Sequence, residues 1–135
     1  MRNYGNPRGS TYRSRLEERC AAKFMELKVP FEYETMVVTY VQPEVKRKYT
    51  PDFVFRDFVI EVKGVLTPED RKKHLWVKDQ VPELEVRFLF GNSRNKIYKG
   101  SKTTYGDWCN KNGFIFADFR DFRLWTSWFS KEERK

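Results

Sequence analysis

The stretch Tyr49-Thr50-Pro51-Asp52-Phe53-Val54-Phe55-Arg56-Asp57-Phe58-Val59-Ile60-Glu61-Val62-Lys63-Gly64 constrains this chain more than any other. Two short runs of aromatic and β-branched residues, Phe53 to Phe55 and Phe58 to Val62, flank Arg56-Asp57, a pattern that predicts an antiparallel hairpin. If Phe55 pairs with Phe58, then Phe53 faces Ile60 and Asp52 faces Glu61. Residues directly opposite in antiparallel strands have Cβ atoms about 4.5–5.5 Å apart on one face, so two carboxylates meet. Like charges so placed destabilise a sheet, and a divalent metal is one reason for them to be there. Alternation puts Val59, Glu61 and Lys63 on one face and the apolar Phe58, Ile60 and Val62 on the other, the expected core side. Lys63 stands one side-chain step from Glu61, placed to orient or deprotonate a water or to stabilise negative charge on a phosphate. A surface hairpin whose acidic pair is relieved by Lys63 is the competing reading.

The 135 residues make one domain, long enough to bury a core without disulfides or structural metal. Lys and Arg number 27 against 19 Asp and Glu, a net charge of +8. That excess favours a polyanionic partner through long-range attraction and counterion release, although a solubilising surface would carry it equally well. Cys20 and Cys109 lack metal-ligand spacing and His74 is the only histidine, which argues against zinc. Both cysteines read as packed free thiols in a reducing cytoplasm. No apolar leader-like segment opens the chain and no run approaches about 18 apolar residues, so neither secretion nor a membrane span is indicated.

Residues 1–9 carry Arg2 and Arg8 with Gly5, Pro7 and Gly9 and no acidic residue, the composition of a flexible basic arm that could order against phosphates. Ser10 or Thr11 can cap a helix running to about Leu27, with Leu16, Cys20, Phe24 and Leu27 at helical spacing. Glu17 falls inside that apolar stripe and needs a partner, either an inner Lys or Arg or a metal. Phe31 to Tyr33 and Met36 to Val41 read as strands, and Gln42-Pro43-Glu44-Val45-Lys46-Arg47-Lys48 breaks the pattern as a loop or bridge. Thr67-Pro68-Glu69-Asp70 opens a helix that ends at Pro82 and carries Arg71, Lys72, Lys73 and Lys78. Val86 to Phe90 follows a helical crossover and should run parallel to Phe58–Val62. Residues 91–106 hold Arg94, Lys96, Lys99 and Lys102 among hydroxyl side chains, without an acidic residue, which suits phosphate contacts or a plain charged loop. A short helix from Thr104 to Asn112, stopped by Gly113, leads to a strand at Phe114 to Phe116. Beyond Asp118 the tail 119–135 is aromatic and basic, with Leu124, Trp125, Trp128 and Phe129 spaced to pack on a core or a dimer surface.

The order helix, strand, strand, strand, helix, strand is an α/β arrangement with a mixed sheet. Pro51-Asp52 followed by Glu61-Val62-Lys63 matches the P-D…(D/E)-x-K signature of the restriction-endonuclease-like nucleases. Further segments resemble the phage endonuclease I family, Holliday-junction-resolving enzymes of short-tailed phages: Tyr49-Thr50-Pro51-Asp52-Phe53, Asp70-Arg71-Lys72-Lys73-His74-Leu75, Pro82-Glu83-Leu84, Ser93-Arg94, Tyr98-Lys99-Gly100-Ser101 and Tyr105-Gly106. The likeness runs from about Tyr12 to Asp118. It implies a nuclease domain over 10–118 with a restriction-endonuclease-like αβββαβ core. It also implies a domain-swapped homodimer bridged by 42–48, with Glu17 completing the acidic cluster. Asp52, Glu61 and the Val62 carbonyl would hold one Mg²⁺ or Mn²⁺, and Asp52 with Glu17 a second, while Lys63 positions or activates the attacking water. DNA would lie on Arg2, Arg8, Arg71, Lys72, Lys73, Arg94, Lys96, Lys99 and Lys102. The implied activity is metal-dependent resolution of four-way junctions and cleavage of branched DNA, in the host cytoplasm if phage-encoded. The alternatives are a related nuclease acting on duplex or flaps, and a non-catalytic nucleic-acid-binding protein.

Overall fold

A computed structural model describes residues 12–42 and 45–129. Along them run α1 (Arg15–Glu26), β1 (Glu32–Tyr33), β2 (Val38–Gln42), β3 (Val45–Tyr49), β4 (Phe53–Val54), β5 (Val59–Lys63), α2 (Pro68–Gln80), β6 (Val86–Phe90), α3 (Tyr105–Asn112), β7 (Ile115–Asp118) and α4 (Phe122–Trp125), then a 3-10 turn over Thr126–Trp128. Five strands form one mixed sheet in the order β1-β4-β5-β6-β7, and β2 pairs with β3 in a separate two-stranded arm. The pairs β1/β4 and β4/β5 are antiparallel, whereas β5/β6 and β6/β7 are parallel. Helix α2 makes the crossover that parallel neighbours require. With the arm set aside, the first six elements follow the expected order of helix, three strands, helix, strand.

The central hairpin has the predicted register. Phe53 pairs with Ile60 and Val54 with Val59, and the Phe55 amide donates to the Phe58 carbonyl at 2.9 Å. The faces divide as the alternation predicts, Phe58, Ile60 and Val62 on one and Val59 on the other, but both are core. Strand β5 is not half-exposed but central, and Val59 and Glu61 are as deeply buried as Ile60 and Val62. One face carries Ile60, Val62 and Leu89 against Cys20, Ala21 and Phe24 of α1 and against Trp125 and Phe129. The other carries Val59, Phe88 and Phe90 against Val77 of α2 and Trp108 and Cys109 of α3. Parallel strands covered on both faces lose the polar-out alternation, which explains the difference.

Capping sets where the helices begin. Ser14, rather than Ser10 or Thr11, caps α1: its hydroxyl accepts the Glu17 amide at 3.0 Å, which places Glu17 and Glu18 in the first turn. Ser10 and Thr11 lie outside the described residues, as do Arg2 and Arg8. Thr67 and Thr104 form reciprocal capping boxes with Asp70 and Asp107, and Gly113 ends α3 with φ 78°.

Within 42–48, residues Val45 to Lys48 do not loop but form most of β3, pairing Lys46 with Val41, Arg47 with Tyr40 and Lys48 with Thr39. Their side chains are exposed, so the strand holds three consecutive cations without burying charge. Residues 43 and 44 lie outside the described set. The Gln80 side chain clips the arm to α2, donating from Nε2 to the Val41 carbonyl at 2.6 Å and accepting the Val41 amide.

The aromatic tail packs on the core. Trp125 is fully buried, its indole N–H donates to the Phe119 carbonyl at 2.9 Å, and Trp125 and Phe129 lie 5.6 and 6.2 Å from the Phe24 ring. Leu124 points to solvent instead. Cys20 and Cys109 are buried free thiols, as the sequence predicts, and burial raises both, Cys109 to about 12. Among the described residues no helix is long and apolar enough to cross a membrane.

Candidate active site

Every predicted acidic site residue is buried, each for a traceable local reason. Glu17 sits in the first turn of α1 on the face that packs against β5, and is 7% exposed. Among the described residues no Lys or Arg side chain pairs with it. Instead its Oε1 accepts the Tyr33 hydroxyl at 2.6 Å and the Arg13 amide at 3.0 Å. Asp52 is 6% exposed just before β4, and its Oδ2 accepts the Val62 amide at 2.8 Å across the hairpin. Glu61, 4% exposed, accepts the buried Tyr49 hydroxyl on Oε1 at 2.8 Å. Lys63 follows where β5 reaches the surface, its ammonium 3.5 Å from Glu61 Oε2 and 3.1 Å from Asp70 Oδ1. The other Asp70 oxygen caps α2, so one carboxylate ties the lysine to a helix terminus.

These groups open onto a cleft of about 560 Å³, with Glu17, Glu34, Asp52 and Glu61 on its walls and Lys48, Lys63, Lys73 and Arg13 around them. Glu34 is the residue the sequence did not disclose. Its backbone is left-handed, at φ 54°, and its amide donates to the Asp52 carbonyl at 3.0 Å. A non-glycine residue held there costs roughly 1 kcal/mol, and the turn brings a fourth carboxylate to the site. Ligand oxygens of Glu17, Glu34 and Asp52 all lie within 4.8 Å of one another. Arg13 Nε pairs with Glu34 Oε2 at 2.8 Å from the exposed side. The only available signal for Glu34 was a polar residue closing a short strand, and many turns share it.

Electrostatics follow from this crowding. Burial raises the Asp52 carboxyl far above its ordinary value, and the charges of Glu61 and Glu17 push the same way. Burial also raises Glu61, although Lys63 and Tyr49 oppose it. Burial alone would lower Lys63, but the Glu61 and Asp70 charges outweigh it and the net shift is upward. Lys63 is therefore a charged ammonium in the metal-free site, suited to orienting a water or a phosphate rather than to removing a proton.

Donor chemistry decides which ion fits. All converging ligands are carboxylate oxygens, the preference of hard cations such as Mg²⁺ and Mn²⁺. His74 contributes nothing to the set: it is buried between Tyr49 and Phe88, and burial lowers its imidazole to about 3.

The expected nucleic-acid contacts divide. Arg94, Lys96, Lys99 and Lys102 are exposed on the loop before α3, and Lys72 is exposed on α2. Lys73 lines the cleft with its ammonium over the Tyr49 ring. Arg71 is committed elsewhere: its guanidinium donates to the Leu66 carbonyl at 3.1 Å and the Ile97 carbonyl at 3.0 Å, fastening the basic loop to α2.

The profile of the phage endonuclease I family matches residues 2–133, tail included. The chain belongs to that family. Two endonuclease I relatives show the extent of the likeness. It is 45% identical over 111 residues to endodeoxyribonuclease 1 of Enterobacteria phage T3, covering 82% of this chain and 73% of the relative. It is 44% identical over 108 residues to endonuclease I of Escherichia phage T7, covering 79% and 72%. For a phage endonuclease I, the tail is part of the family match rather than an addition to it, which extends the resemblance past Asp118.

Proposed function

We propose that this protein is a divalent-metal-dependent, structure-selective deoxyribonuclease that resolves four-way junctions and cuts branched DNA. Cleavage of DNA by hydrolysis follows from family membership. The observation that carries the metal reading is the gathering of Glu17, Glu34 and Asp52 within 4.8 Å in a buried pocket, beside Glu61 and Lys63. Asp52, Glu61 and the Val62 carbonyl would hold one Mg²⁺ or Mn²⁺, and Asp52 with Glu17 a second, to which Glu34 adds a donor. Ions held there supply Lewis-acid stabilisation of the attacking and leaving oxygens of an in-line displacement.

The chain's own residues do the rest. The Val62 amide fixes Asp52, which lines the cleft, through Oδ2. Lys63, steadied by Asp70, offers its ammonium to the water or to a non-bridging phosphate oxygen. The water oxygen would bond to phosphorus and release a proton to solvent, while the bond from phosphorus to the 3′ oxygen breaks and that oxygen takes up a proton, leaving 5′-phosphate and 3′-hydroxyl ends. Exposed Lys72, Arg94, Lys96, Lys99 and Lys102, with Arg2 and Arg8 of the amino-terminal arm, would position the backbone without reading sequence. Arg71 serves by holding the loop.

A two-fold dimer suits a substrate with two strands to cut. One chain folds here with Glu17 and Asp52 in the same site. If the 42–48 bridge crossed between subunits, everything after it would be exchanged, so that Glu17 and Glu34 would meet the partner's Asp52, Glu61 and Lys63. The test is a competition between a four-way junction and a duplex of matched length, with Mg²⁺ or with chelator. Preferential junction cutting that needs the cation is expected. Equal cutting of duplex would remove the junction assignment, and cutting in chelator would remove the metal.

A further inference from the structure

Three of the site's carboxylates, Glu17, Asp52 and Glu61, share an arrangement that the cleavage chemistry does not by itself require: each has one oxygen held by a neutral donor, whereas Glu34 pairs with Arg13. Tyr33 donates to Glu17 Oε1 at 2.6 Å, Tyr49 to Glu61 Oε1 at 2.8 Å, and the Val62 amide to Asp52 Oδ2 at 2.8 Å. Among the described residues no donor reaches the second oxygen of Glu17 or Asp52, and that of Glu61 meets the Lys63 ammonium at 3.5 Å. A cation in place of either phenol would fix the carboxylate equally well but would also neutralise it. A phenol fixes the orientation and leaves the negative charge in place.

Both tyrosines reach the carboxylates from strands. Tyr33 of β1 pairs with Phe53, the neighbour of Asp52, and Tyr49 ends β3 opposite Val38. Tyr49 is fully enclosed, edge-on to His74 at 5.0 Å, so its hydroxyl cannot swing to another acceptor without dismantling that packing.

We propose that Tyr33 and Tyr49 are positioning residues of the metal centre, turning Glu17 and Glu61 so that one oxygen of each is left for a divalent cation. The inference rests on the metal-dependent reading given above. Outer partners of this kind typically contribute 10- to 100-fold to metal affinity.

The experiment is Mn²⁺ binding to the full-length protein, followed by EPR of the free ion, for wild type, Y33F, Y49F and D52N, with thermal unfolding of each without metal. Phenylalanine removes one oxygen and keeps the ring. Expected are affinities about 10- to 100-fold weaker for Y33F and Y49F and near-complete loss for D52N. Mn²⁺ affinity unchanged in both tyrosine variants, with D52N defective, would overturn the positioning role alone. Wild type that takes up no Mn²⁺ would overturn the metal reading and this inference with it. Tyr33 is only partly buried, so Y33F keeps the question decidable if Y49F does not fold.

Discussion

Asp52→Asn should stabilise the metal-free protein, and more so as pH rises. The Asp52 carboxyl is pushed up to about 9 from 3.8, first by burial and then by the Glu61 and Glu17 charges. A carboxyl raised in the fold favours folding while it keeps its proton. That contribution is complete below about pH 4 and is lost toward about pH 9, at up to about 1.4 kcal/mol per pH unit. Asparagine presents a carbonyl oxygen to the same Val62 amide and carries no titrating proton. Between about pH 7 and pH 8.5 the gap between wild type and D52N should therefore widen by up to about 2 kcal/mol. His74, lowered to about 3 by its burial, is neutral throughout that window, and the raised Cys109 thiol is common to both proteins. The assay is urea unfolding in chelator at both pH values. Adding Mg²⁺ should flatten the wild-type dependence and leave D52N unmoved, because the cation replaces the proton as the relief of crowded charge. Two curves that stay parallel to within about 0.5 kcal/mol would refute the claim that these carboxylates are compressed without metal.

Four other outcomes are expected. Lys63→Ala should lose cleavage while retaining Mn²⁺ affinity; a collapse of affinity in a binding titration would mean that the lysine only holds Glu61 in place. Replacing Lys96, Lys99 and Lys102 together by Ala should weaken binding to all DNA substrates alike and flatten the salt dependence by about 0.9 per lost contact, so an unaltered slope in a salt titration would free these lysines of phosphate. Trp125→Ala should cost about 3–5 kcal/mol in denaturant unfolding, since it empties the core beneath α1; a cost below about 1 kcal/mol would make the tail peripheral. A heterodimer of one Glu17→Ala chain and one Lys63→Ala chain should nick one strand of a junction if sites are shared between chains, and should be dead, though folded and bound, if each site belongs to one chain.

What the sequence disclosed was local. The hairpin register from Phe53 to Val62, the Thr67 cap and the Gly113 stop depend on near neighbours, and each is found where expected. Glu17 was legible because a carboxylate inside an apolar helical stripe needs a partner; which partner was not legible, since Tyr33 lies on another element. Glu34 escaped because its orientation comes from a left-handed turn fixed by a bond to Asp52. The cations of β3 hid a strand, because strand preference weakens where both faces are wet. Arg71 reads as one more basic residue on a basic helix, and only the folded loop brings the Ile97 carbonyl to it.

Because the Arg71 guanidinium spans the Leu66 and Ile97 carbonyls, the loop that carries Lys96, Lys99 and Lys102 cannot drift away from α2, and Asp70, the preceding residue, holds Lys63. Grip and blade are thus set a fixed stride apart. Under the proposed junction reading, selection would then rest on stiffness. A duplex that has to curve to reach both points loses on the order of 1–6 kcal/mol for bends of 40–90°. A junction already angled at its crossing would not, so a rigid gauge would favour it with no base being read.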